Sequence, residues 1–225
     1  MHLQRIRDQI EAYKKALPQS PNKHVWVIQA TFQKHWDIEA SDLGSMFDQS
    51  LNSPVNRRLW SRENYQPKAA MAQFIQMEPE QVRLMFRDLF RNELDVQNRI
   101  NRFIYYADEL LDQYRELHRK PILAGHDQNH EAVCLYLAMR FPNLYAPYQH
   151  KSFIAALQDF SVRELPVIPD PERWFKVART LHGLLTKDPQ LMEIYAQFRT
   201  DSGMYQEETF LQSWDFDQFV ANEKI

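Results

Sequence analysis

The stretch AVCLYLAM, residues 132–139, is apolar almost without a break, and it constrains the fold more than any other part of the chain. Leu, Met and Ala in a run of this length favour a helix over a strand. A helix apolar on every side belongs inside a core, because no polar face is left to meet water. Asp127 or Asn129 supplies the cap that accepts a bond from an orphaned N–H at its start. Pro142 stops it, since the residue before a proline is pushed out of the helical region.

Amphipathic stripes surround this rod. Leu3, Ile6, Ile10, Tyr13 and Leu17 step by three and four, and Pro18 and Pro21 end that helix. Val25, Ile28, Phe32 and Trp36 make the next stripe, with Asn22 as its cap. Ser41 is placed to cap a helix bearing Leu43, Met46, Phe47 and Leu51. Val82, Met85, Phe86, Leu89 and Phe90 follow Glu78-Pro79. Val96, Ile100, Phe103, Ala107, Leu110, Tyr114 and Leu117 then keep a heptad spacing, widened by Ile104 and Leu111. A face this wide fits an intramolecular hairpin; a homo-oligomer through helix 96–117 is the alternative. Asp170-Pro171 and Asp188-Pro189 are cap-plus-first-turn signatures. Between them and the rod, ELPVIPDPER is a proline-rich linker in which Val167 and Ile168 lie across the surface. The tail from Glu207 is acidic, aromatic and helical.

Only 4 glycines stand against 12 prolines, so tight hairpins are scarce and a β-rich fold is disfavoured. The expected class is mainly α: an irregular multi-helix bundle of about ten helices around a buried central helix, with at most a minor short β element. The connector HRKPILAGHD divides an N-terminal helical lobe, 1–120, from a C-terminal lobe, 121–225, or bridges one continuous domain. No stretch reaches the ~18 apolar residues of a membrane span. The start, MHLQRIRDQIEAYKK, lacks the apolar core of a secretory signal, so a cytoplasmic protein is expected.

Catalytic patterns are missing. The glycines, at 44, 125, 183 and 203, build no phosphate loop. Cys134 lies inside the apolar run and reads as a structural thiol. His126 and His130 share a metal-ligand spacing, but no third ligand accompanies them, so no metal or cofactor is expected. The one suggestive patch is the aperiodic stretch 52–68. Arg57, Arg58, Arg62 and Lys68 outnumber Glu63 there, and Trp60 and Tyr65 are interleaved. Arginines bond phosphates and aromatics stack on bases, which makes these six residues the candidate DNA contact. The competing reading is a solvated loop pinned to the core by Trp60 and Tyr65. A net charge of −3 gives the chain as a whole no pull on DNA.

Three stretches together carry a family likeness: KHWDIEASDLGSMFDQSL (34–51), NYQPKAAMAQFIQMEPEQVRLMFRDLFRNELDVQNRINRF (64–103) and NHEAVCLYLAMRFPNLYAPYQHKSF (129–153). They resemble the region preceding the AAA-type motor in McrB-like bacterial restriction proteins, the motor-bearing component of methylcytosine-dependent restriction enzymes. The resemblance implies a target-recognition or adaptor domain of a restriction and defence system, without enzymatic activity of its own. Its implied partners are DNA, an AAA-type motor and a nuclease subunit. The alternative is a protein-interaction or oligomerisation domain with no nucleic-acid role.

Overall fold

A computed structural model describes residues 1–52, 57–60, 62, 65–118 and 128–222, without the side chains of Arg57, Arg58 and Asn222. It is all-helical. The first helices are α1 (Leu3–Ala16), α2 (His24–His35) and α3 (Leu43–Ser50), then a single turn, α4 (Arg57–Trp60). Next come α5 (Pro67–Met77), α6 (Pro79–Leu89), α7 (Val96–Leu117) and α8 (His130–Arg140). The chain continues through α9 (His150–Asp159), α10 (Pro171–Leu185), α11 (Pro189–Phe198) and α12 (Leu211–Asn222). The β content among the described residues is an isolated bridge between Arg62 and Tyr65.

The apolar run forms α8, with every residue from Ala132 to Met139 buried. Asn129 caps it, accepting from Ala132 N at 3.1 Å. Asp170 and Asp188 cap α10 and α11 as their signatures predict, at 3.0 and 2.9 Å. Two other capping expectations are corrected. Asp42, not Ser41, caps α3 through Ser45 N at 2.8 Å. Asn22 does not cap α2; its side-chain amide donates to Asp215 Oδ1 at 2.8 Å.

The heptad stripe of α7 turns inward. Ile100, Phe103, Ala107, Leu110 and Leu111 are buried against the rest of the fold. That burial spends most of the seam's side chains inside their own molecule, although Leu117 at the C-terminal end stays 70% exposed. Arg99 is buried with them and donates to Leu89 O at 2.5 Å and to the Tyr145 hydroxyl at 2.6 Å. Those bonds satisfy the end of α6 and hold the α6–α7 hairpin closed.

A second buried rod, α12, is less visible in sequence. Leu211 to Gln218 are all buried, including Gln212, Ser213, Asp215 and Asp217. α12 packs on α9, α10 and α1. Asp215 accepts from Tyr13 Oη at 2.7 Å, Ser20 Oγ at 2.7 Å and the Asn22 amide. The hydrophobic core runs as one cluster from Ile6 to Val220. Helices from both sides of residue 121 share it, so the two expected lobes are one continuous core.

Candidate binding surfaces

The 52–68 patch lies where its residues are drawn into the fold. Trp60 is 2% exposed and stacks on Tyr136, ring centroids 5.4 Å apart. It is a core residue and offers no face to a base, which corrects its place among the candidate contacts. Arg62 pairs with Glu131 at 2.8 Å and lies over the Tyr65 ring, 4.2 Å from its centroid. Burial and the Glu131 charge push the Tyr65 hydroxyl well above its ordinary range, with Arg62 opposing them. Lys68 pairs with Asp48 at 2.7 Å. A phosphate would have to displace a carboxylate from both cations. The Arg57 and Arg58 side chains lie outside the described residues.

His126 also lies outside the described residues. His130 has a different neighbour, His150; burial first, and then that ring, lower its pKa. His150 Nδ1 is 2.8 Å from the Tyr148 hydroxyl. Among the described residues no three His, Cys, Asp or Glu side chains converge in a metal-ligating group. Cys134 is fully buried, and burial raises its pKa, the setting of an inert thiol.

An open surface groove lies between α6 and α7. Their buried faces carry Val82, Met85, Phe86 and Leu89 on one side and Ile100, Phe103 and Ala107 on the other, and the Phe86 and Phe103 rings meet at 5.1 Å. Beside that seam runs the groove, of about 520 Å3, lined by Leu84, Met85, Asp88, Arg91, Arg102 and Tyr106 among others. Leu84 is 60% exposed and Tyr106 40%. Next to them Tyr105 is 59% exposed and meets the Tyr106 ring edge-on. A cluster of large apolar side chains left in water marks a contact surface more often than chance exposure does.

The groove's charges are uneven. Arg102 grips Asp88 with two bonds, 2.8 and 3.1 Å. Arg87 reaches out to Glu39 at 2.5 and 3.1 Å. Arg83, on the same helical row, is buried and donates to the carbonyls of Ile38 and Ala40. Arg91 lines the groove, and its guanidinium has no partner among the described residues.

The groove has a faint sequence signal. Leu84 falls off the stripe of Val82, Met85, Phe86 and Leu89, and Tyr105 and Tyr106 fall off the heptad register. Apolar residues on the wrong side of an amphipathic helix have no core to enter. What spacing alone withholds is that the two sets meet, because that depends on the α6–α7 crossing. No known protein family, curated protein or solved structure matches this chain.

Proposed function

We propose that the chain is a non-catalytic interaction module that docks a partner protein in the α6–α7 groove. The observation that supports this is the exposure of Leu84 and Tyr106 beside Arg91, a cation with no intramolecular pair among the described residues. An apolar floor with one free guanidinium at its rim suits a segment carrying an aliphatic side chain and a nearby carboxylate. The apolar contact gives affinity, and the charge pair fixes register. The restriction-system resemblance makes an AAA-type motor or a nuclease subunit the first partners to try.

Selection of displayed random peptides against the 225-residue protein tests the site. Peptides that pair aliphatic residues with Asp or Glu are expected to win. Their affinity should fall roughly tenfold or more on Leu84→Asp and on Arg91→Glu. Binders that ignore both substitutions would place the docking surface elsewhere.

A second reading keeps DNA as the partner. It is favoured by Arg62, whose side chain is 41% exposed over Tyr65, with Arg57 and Arg58 just upstream. It predicts a gel shift on duplex DNA that weakens steeply with salt and is lost in Arg57→Ala/Arg58→Ala. The same mobility with and without protein at low salt would remove this reading and leave the peptide groove untouched.

A further inference from the structure

Among the described residues, the most exposed large apolar side chains are not in the groove. Val167 is 93% exposed and Ile168 73%. They sit at a bend between Pro166 and Pro169, in the connection from α9 to α10. Two neighbouring aliphatic side chains held out in water are costly to leave uncovered. Each flanking proline fixes one backbone dihedral, so presenting this knob costs less conformational entropy on binding. The loop is anchored from behind: Arg173 donates to Glu164 O at 2.7 Å, and Asp170 N donates to the Tyr148 hydroxyl at 3.1 Å. Glu164 is exposed, and its carboxylate has no ion pair or hydrogen bond among the described residues.

Knob and groove are complementary in the same chain. One offers two aliphatic side chains on a loop that also carries the Glu164 carboxylate. The other offers an apolar floor next to an unpaired guanidinium, Arg91. The near-complete exposure of Val167 shows that the loop does not fill its own molecule's groove.

We propose that the occupant of the α6–α7 groove is the Val167–Ile168 loop of a second copy of this chain, with Glu164 meeting Arg91. This rests on the groove being a protein-docking surface, as argued above. The contact joins two different surfaces, so it is heterologous: each bound copy still has a free knob and a free groove, and association continues into a ring or a chain. Two aliphatic anchors and one rim charge pair make a weak contact that forms at high local concentration.

Two crippled variants test it. Val167→Asp/Ile168→Asp removes the knob, and Leu84→Asp/Arg91→Glu removes the groove; all four positions are surface positions. In sedimentation equilibrium from low micromolar to several hundred micromolar, the unaltered protein is expected to rise above its 27.0 kDa chain mass. Each variant alone is expected to stay at that mass. An equimolar mixture of the two is expected to form a 1:1 complex and grow no further, since only one intact knob and one intact groove remain. The milder Val167→Ser/Ile168→Ser should weaken association roughly tenfold or more and serves as the knob variant if the aspartates disturb folding. An unaltered protein that stays monomeric at every concentration overturns the proposal, and so does a mixture that never forms the 1:1 complex. Selected peptides that still bind the groove in that case would preserve the docking reading and remove only the self-contact.

Discussion

Tyr136→Ala is expected to cost about 3–5 kcal/mol of unfolding free energy, the range for deleting a large buried aromatic. Tyr136 is fully buried in the middle of α8. Its ring meets Phe86 at 5.1 Å, Trp60 at 5.4 Å, Phe103 at 5.9 Å and Phe47 at 6.3 Å. Those four rings come from α6, α4, α7 and α3, so one side chain joins four elements. Its hydroxyl donates to Gln128 Oε1 at 3.2 Å, and the Gln128 amide donates to Pro67 O at 2.7 Å. Alanine leaves a cavity and strands a buried carbonyl oxygen, and the second loss adds about 1–3 kcal/mol. For a chain of this size the melting temperature should drop by roughly 10 °C or more. Tyr136→Phe keeps the ring contacts and loses only the hydroxyl, so urea melts should show about 1–2 kcal/mol. A Tyr136→Ala protein as stable as the parent would remove α8 from the centre of the energetics.

Asp217→Asn is expected to stabilise the protein, and increasingly so as pH rises. Asp217 is 2% exposed. Its Oδ1 has no hydrogen-bond partner among the described residues, and its Oδ2 has only a long 3.5 Å contact from the Gln218 amide. Burial, the dominant cause, holds its pKa well above the ordinary carboxylate value, and the Gln218 bond opposes it only weakly. The folded state thus binds the proton more tightly than the unfolded chain does. Stability from this group is fully present below the unfolded pKa of ~3.9 and is lost as pH rises through the folded pKa. Asparagine carries no charge at any pH, so its advantage over the parent should be small near pH 4. It should grow with pH and then level off above the folded pKa, reaching about 1–3 kcal/mol. Melting temperatures of both proteins across that range give the curve directly. A difference that stays flat, or shrinks with pH, would mean that Asp217 is ionised and paired in the fold.

The contrast between α8 and α12 shows where sequence speaks and where it is silent. α8 is legible because its apolar run is unbroken, and no exposed helix tolerates that. α12 is just as deeply buried, yet it spells LQSWDFDQFVAN, with Gln, Ser and two Asp inside. Its polarity reads as surface because the groups that accommodate Asp215 are Tyr13, Ser20 and Asn22, some two hundred positions earlier. No local window contains both sides of that arrangement. Similarly, the composition of 52–68 suggests an open basic patch. The compensating carboxylates, Asp48 and Glu131, come from α3 and α8. The caps Asn129, Asp170 and Asp188 are readable because capping is settled within three residues.

The tie between Tyr13 and Asp215 spans 202 positions of chain. At the usual 5–20 residues per second, a ribosome needs roughly 10–40 s to make the second partner after the first. Through that interval the newborn α1 has no α12 to lie against, and Tyr13 lacks the Phe216 and Phe219 rings that it packs on in the finished fold. A ribosome stalled anywhere before Leu211 would therefore carry a sticky, protease-sensitive nascent chain, and the delay makes holding chaperones a natural companion of its synthesis.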